Sequence, residues 1–389
     1  MLDKLSNINL WRREFLIETF ILFLSIPGRI NFLQLARYGK RKEQRYRQQF
    51  EKHFDFLSFN KELTLSQGSG PFAIAFDPSY ISKSGKKTPG VGYFWSGVAN
   101  KAKWGLEIGG IGAIDIDNHT AFHLEAIQTL NDDDQKLTDW YARVISERKE
   151  TLTSISRYLV ADAYFSKKTF ADQIISSGMH LVSRLRDDAD LKYLSNEPPT
   201  GKRGRPRKYS GKITISDIDK EYFSFVTEDK ESIVYAAEVY SKALKRNIIL
   251  VHVTYPKDSG KRTTKLYFST DIEMDPNEVL QYYHCRFQIE FLYRDGKQHT
   301  GLNDCQARSE NKLHFQFNAS LTSINIAKAV HWLSIPKEKR GAFSMSDIKT
   351  MNHNILMLGR FIDVFGICPH SIKNQNYVKE LILYGTMAA

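Results

Sequence analysis

Two apolar runs, each closed by an aspartate, constrain the fold of this chain more than any other feature. Phe72 to Phe76 is apolar throughout and ends in Asp77, and the run from Arg157 to Ala161 ends in Asp162. Neither alternates, so each is expected to be a strand covered on both faces, as in a sheet flanked by helices. Adjacent parallel strands would bring both aspartates side by side at the sheet edge where α/β sites form. A lone aspartate at a strand end is ordinarily a turn former or helix cap. A matched pair, in the right order with a third acid, points to a carboxylate site.

The third acid is Glu290. Tyr283, Arg286, Glu290 and Lys297 follow one another at steps of three, four and seven. At roughly 100° per residue they fall within about 60° on one helix face. Phe287 and Phe291, on a neighbouring stripe, are expected to anchor that helix in a core. Such a face also occurs as an ordinary solvated surface with i,i+4 ion pairs. Converging carboxylates repel one another unless divalent cations lie between them. Hard oxygen ligands select Mg²⁺ or Mn²⁺, and two such ions about 3.5–4 Å apart suit in-line displacement at phosphorus. The two cations and the tyrosine hydroxyl suit phosphate oxygens. Other acids fit structural roles better: Asp115 and Asp117 at a hairpin, Asp132-Asp133-Asp134 at a helix start, and Asp187, Asp188 and Asp190 at a solvated segment.

The 389 residues allow two or three domains, and the formal charge of +11 favours a polyanionic partner, nucleic acid ahead of anionic membrane. Cys285, Cys305 and Cys368 form no CxxC pair, which leaves out a disulfide framework or zinc site and fits a reduced, cytoplasmic setting. The apolar run from Phe15 to Pro27 is too short to span a bilayer, contains Glu18 and lacks a small-residue cleavage site. A buried helix is expected there, and no membrane association.

Residues 1–66 are expected to be helical. The second and third helices resemble a helix-turn-helix, with Arg41, Arg45 and Arg47 towards DNA; a basic solvated face on a plain three-helix bundle is the other reading. Residues 70–185 read as three strands, a helix, a strand, a helix and a strand. That order resembles the first part of a ribonuclease-H-like core. Residues 186–271 read as a mostly antiparallel β-rich insertion. Residues 272–335 complete the core with the Glu290 helix and a long amphipathic helix, and 336–389 are helical. The expected class is α/β: a ribonuclease-H-like catalytic core interrupted by a β-rich insertion, with an N-terminal helical DNA-binding domain.

Within the insertion, Arg203-Gly204-Arg205-Pro206-Arg207 resembles an AT-hook. Gly and Pro keep its backbone thin, so the arginines can enter a narrow minor groove; a flexible basic linker is the plainer reading.

The motifs also resemble a known family over roughly residues 70–335. Asp77-Pro78-Ser79, Val160-Ala161-Asp162-Ala163 and the Tyr-x₂-Arg-x₃-Glu-x₆-Lys spacing are similar to the three blocks of DDE transposases of the insertion-sequence-four group. The resemblance implies that Asp77, Asp162 and Glu290 are catalytic and hold Mg²⁺, two ions per site, with Mn²⁺ able to substitute. Tyr283, Arg286 and Lys297 would bind DNA phosphates. The expected activity is metal-dependent cleavage of the element's ends and joining of their 3′-hydroxyls to target DNA. Double-stranded DNA would be the partner, with a homodimer in the active complex, in a nucleoid-associated bacterial setting. Two departures stand out. The first block reads Asp-Pro-Ser where many members have Asp-Asp-Thr. No Trp lies between Asp162 and Glu290 to stack a flipped base, which leaves Tyr267 or Phe268 as candidates. A related nuclease and a catalytically silent DNA-binding protein are the rival functions.

Overall fold

The computed structural model describes residues 8–130, 136–195, 207–256, 262–333, 335–336, 339–340 and 343–387. Four helices come first: α1 (Leu10–Ser25), α2 (Phe32–Tyr38), α3 (Glu43–Phe50) and α4 (Phe56–Gln67). Asn9, Asn31 and Asp55 cap α1, α2 and α4, each accepting the backbone N–H three residues on. Next come β1 (Phe72–Ser82), β2 (Gly92–Ser96), β3 (Lys101–Asp115) and β4 (Thr120–Gln128). They lead into α5 (Leu137–Ser146), α6 (Lys149–Thr153), β5 (Tyr158–Val160), α7 (Lys168–Ser176) and β6 (His180–Arg184). The expected helix start at Asp132-Asp133-Asp134 lies outside the described residues.

Residues 191–269 add β7 (Leu191–Leu194), β8 (Tyr209–Lys212), β9 (Ser224–Glu228), β10 (Ile233–Ser241), β11 (Arg246–Pro256) and β12 (Arg262–Ser269). The chain closes with α8 (Pro276–Cys285), α9 (Gln288–His299), α10 (Glu310–Trp332), α11 (Met345–Phe365) and α12 (Ile372–Leu383).

The twelve strands among the described residues join one mixed sheet. Its first part has the order β4–β3–β1–β5–β6, with β1, β5 and β6 parallel and β3 antiparallel to both β1 and β4. This is consistent with a ribonuclease-H-like arrangement. Antiparallel pairing of β12 to β6 carries the sheet on into β11 and β10, so the strands of 191–269 extend the core sheet edge to edge.

Two cores, one on each face, explain the unbroken apolar runs. Ile74 and Phe76 of β1, with Leu159 and Ala161, pack against α5 and α7. Ala73, Ala75 and Val160 face the opposite core, which holds residues of α9, α10 and the N-terminal helices. All of these residues are fully buried. The period of two puts Asp77 and Ser79 on the α9 side with the alanines, and Asp162 there with Val160.

Two expectations about element ends need correction. β1 does not stop at Asp77 but runs to Ser82 along the longer β3. Pro78 is tolerated inside it because β5 has already ended, which leaves that side of β1 unpaired. α10 is not amphipathic: Gln316, Asn318, Ser320, Thr322, Ser323 and Asn325 are as buried as its apolar residues. Among the described residues, no helix is long and apolar enough to cross a membrane.

Candidate active site

The register of β1 on β5 brings the two aspartates level. Ile74 pairs with Leu159 and Ala75 with Val160; the same offset of 85 places Asp77 opposite Asp162 (162 − 77 = 85). Asp162 lies two residues beyond the end of β5 and also caps the next turn, its Oδ1 accepting the Tyr164 N–H at 2.8 Å.

Glu290 arrives from α9, and two glycines let α9 approach. A Cβ on Gly110 of β3 would lie 1.8 Å from the Tyr293 hydroxyl oxygen, and one on Gly112 would lie 3.4 Å from Ile289. Residues 289 and 293 are one helical turn apart, and 110 and 112 share a sheet face, so the helix seats on a strip cleared of side chains. The Tyr293 hydroxyl then donates to the Asp77 carbonyl at 2.7 Å, and Lys297 Nζ donates to Ser79 Oγ at 2.8 Å. Both bonds fix α9 against β1, and Glu290 lies one turn before Tyr293 on that helix.

The signature helix itself is broken. α8 ends at Cys285 and α9 begins at Gln288, with Arg286 and Phe287 in a tightened turn. Arg286, Ile289 and Glu290 each donate their N–H to the carbonyl three residues back, at 3.1 Å. Tyr283 therefore precedes the break, Arg286 lies in it, and Glu290 and Lys297 follow it. Phe287 and Phe291 do not anchor the helix. Phe287 is 48 % exposed, and the two rings pack on each other at 4.9 Å. The anchors are Ile289, Leu292, Tyr293 and Gly296, one stripe further round.

Arg286 sits between the acids. Its guanidinium bonds Glu290 at 2.9 Å and lies 3.9 Å from Asp77. Burial opposes its charge, but Asp77 and Glu290 outweigh burial and raise its pKa. Burial pushes the Asp77 carboxyl up to about 7 against the pull of Arg286, with Glu290 and Asp162 adding to the rise. Lys297 is lowered by burial, which Asp77 partly offsets. Burial raises the Tyr283 hydroxyl, which feels both Arg286 and Asp162. Arg286 Nε and the nearby Arg184 Nε are buried donors with no partner.

Among the described residues, no three His, Cys, Asp or Glu side chains are gathered closely enough to hold an ion. The donor chemistry nevertheless fits a hard divalent cation: carboxylates only, one of them held protonated to near neutrality by burial and by its fellow acids. Arg286 supplies the counter-charge in this arrangement. A metal set would require the 38 % exposed Glu290 side chain to turn from Arg286 towards Asp77.

Other expected residues fall elsewhere. Arg41 pairs with Glu18 and Arg47 with Glu43, the latter at 2.6 Å, while Arg45 faces solvent. Arg203 and Arg205 lie outside the described residues, and Arg207 donates to the carbonyls of Tyr209 and Ser210. Tyr267 is 6 % exposed and Phe268 fully buried, so neither offers a stacking platform; Tyr267 instead packs on Tyr283, ring centroids 5.0 Å apart. The competing acids are structural. Buried Asp115 takes the Ser69 N–H and the Asn118 amide, and Asp187, Asp188 and Asp190 each pair with Lys or Arg. Tyr293, Gly110 and Arg184 escaped the sequence reading, and Ser79 entered it only as part of the first motif block. The one available signal was Gly109-Gly110-Ile111-Gly112, small residues in a strand that must admit a helix.

Two family models match the chain. One, described as DDE superfamily endonuclease, covers residues 23–223 and so includes Asp77 and Asp162. The other, described as Transposase DDE domain, covers residues 140–326 and includes Asp162 and Glu290. No curated protein matches the chain.

Proposed function

The chain belongs to the DDE superfamily of endonucleases, and from that premise we propose that it is a DNA transposase of the insertion-sequence-four group. In this reading Asp77, Asp162 and Glu290 are the catalytic acids. The observation that carries it is the level placement of Asp77 and Asp162 on neighbouring parallel strands, with Glu290 locked beside them through Tyr293 and Gly110. Mg²⁺ held by these carboxylates, or Mn²⁺ in its place, would neutralise charge at the phosphate and lower the pKa of an attacking water or 3′-hydroxyl.

The chain's own part is to hold and orient DNA. Arg286 has a donor to spare at Nε and would take a non-bridging phosphate oxygen once Glu290 turns from it. Lys297 at Ser79 and Tyr283 at the break in the helix would hold the flanking phosphates. Hydrolysis and end-joining use the same site, because only the attacking oxygen differs. The 191–269 strands serve as the insertion, with Arg203, Arg205 and Arg207 following the minor groove. The α2–α3 pair, through Arg45, contacts the element's ends. The active complex is a homodimer on two ends, in the cytoplasm at the bacterial nucleoid.

The test is a supercoiled plasmid carrying the element's ends, incubated with Mg²⁺ or EDTA. Metal-dependent cuts at the ends followed by joined products support the reading. Cuts without joining reduce the protein to a nuclease, and binding without cuts under any metal ends the enzymatic reading.

A further inference from the structure

A second charged feature lies beyond the three acids. The segment after β1, residues 82–88, and the segment after α9, residues 303–312, form the walls of an open cleft of about 990 Å³. Among the described residues, its lining carries seven Lys and Arg side chains against one carboxylate, Asp304, whose Oδ2 already accepts the Ile30 N–H at 2.8 Å. Arg29, Lys86, Lys87 and Arg308 are exposed and make no ion pair among the described residues. Their charge is uncompensated among the described residues, and the cleft is too open and polar for an apolar ligand.

The walls are fixed, not loose. Lys83 Nζ bridges them by donating to the carbonyls of Cys305 and Ala307. Trp104 Nε1 of β3 ties down the lysine loop by donating to the Gly85 carbonyl at 3.1 Å. Both walls are continuations of the elements that build the site. β1 runs from Asp77 to Ser82, α9 runs from Glu290 to His299, and the Lys297–Ser79 bond joins them on the way. Five residues of strand span about 16 Å, which corresponds to roughly five base pairs of duplex at 3.4 Å per step.

We propose that this cleft is a second DNA-backbone site, holding phosphates of the duplex about five base pairs to one side of the cleaved phosphate. It rests on the transposase reading above, since a duplex must lie in the site for its flank to reach the cleft. Several exposed cations in one open cleft, at the far ends of the strand and helix that carry Asp77 and Glu290, suit a polyanion that continues past the reacting atom, and not a single small anion.

The experiment uses the full chain and a fluorescein-labelled 40-base-pair duplex spanning an element end, with binding followed by polarisation over a salt series. Lys86→Ala/Lys87→Ala/Arg308→Ala changes exposed side chains only and is expected to fold. The triple variant should bind at least about tenfold more weakly at 0.1 M salt, with the log–log salt slope reduced by roughly 2–3. Trimming the duplex to three base pairs on one side of the cleavage point should weaken wild type by a similar factor and leave the triple variant unchanged. Equal affinity and slope for wild type and triple variant, with the wild type binding normally, would overturn the cleft while sparing the transposase reading. Failure of wild type to bind the duplex at any salt would overturn both.

Discussion

The sheet buries polar groups on the α9–α10 side in two places, and they are built in opposite ways. Along α10, neutral amides close on one another. Asn318 accepts the Ala126 N–H at 2.7 Å and returns a bond to the Ala126 carbonyl at 2.8 Å, while its Oδ1 lies 2.9 Å from His123 Nε2. Asn325 treats His123 the same way and donates to Asn60, which in turn donates to the Leu124 carbonyl and Thr322. Burial brings His123 down to about 4, so it is neutral near pH 7. Beside α9, by contrast, Arg286 lies between Asp77 and Glu290, Asp77 is lifted to about 7, and Arg286 Nε has no partner. The first cluster satisfies itself and fixes the helix to the sheet. The second remains incomplete until something charged arrives. A closed polar network makes framework, and an open one makes a site.

Breaking each cluster should therefore give opposite signatures. The largest effect is expected at the open one. Glu290→Gln should reduce metal-dependent plasmid cleavage by at least about 10³-fold, with its melting temperature close to wild type, and EDTA should do the same to the wild type. A large drop in melting temperature would instead make Glu290 structural.

At the closed cluster, Asn318→Ala strands the Ala126 N–H and carbonyl and one side of His123. It should destabilise the fold by roughly 2–4 kcal/mol, measured by denaturant unfolding, while cleavage per folded molecule changes little. A loss of activity larger than the loss of folded protein would dissolve the contrast between the clusters.

Gly110→Ala tests the junction between them. Its Cβ would overlap the Tyr293 hydroxyl, a cost of about 1–3 kcal/mol. Because it displaces α9, cleavage should fall as well. Adding Tyr293→Phe removes the overlapping atom and should recover part of the stability but not the bond to Asp77. Strict additivity of the two changes would show that the glycine does not seat the tyrosine.

Asp77 sets a pH dependence of the metal-free protein. Its folded pKa is raised to about 7 from 3.8, so the folded state holds this proton more tightly than the unfolded chain does. Stability from this group is complete below about pH 4 and is lost as pH rises to about 7. The loss is on the order of 2–4 kcal/mol, allowing for the fifth of the side chain that is exposed. Without divalent ions, Asp77→Asn should therefore melt higher than wild type at pH 8 and similarly at pH 4. Parallel melting curves across that range would remove burial as the force acting on Asp77.

The legible parts of this molecule are those written in local pattern. Phe72–Phe76 and Leu159–Ala161 announced two-sided burial because a sheet covered on both faces needs apolar residues on both, whereas Arg157, at the start of the second run, lies exposed outside the strand. The steps from Tyr283 to Lys297 announced one helix face. What failed depended on partners distant in sequence. β1 outlasts Asp77 because β3 lies beside it, and no residue of β1 encodes that. The turn at Arg286-Phe287 keeps helical dihedrals, so a periodic pattern runs through it unbroken. Phe287 and Phe291 looked like anchors by type, yet the stripe that meets the sheet is chosen by where Gly110 and Gly112 leave room. α10 reads as amphipathic because its amides are polar by composition, although each finds a buried partner across the interface.

The most direct test of the account is Mn²⁺ binding to the full chain, followed by electron paramagnetic resonance of the free ion. Wild type should show saturable binding that is lost or sharply weakened in Asp77→Asn and in Glu290→Gln, with both variants folded. Binding by the variants equal to wild type, or no saturable binding by wild type with DNA present or absent, would contradict the assignment of these acids as a metal site.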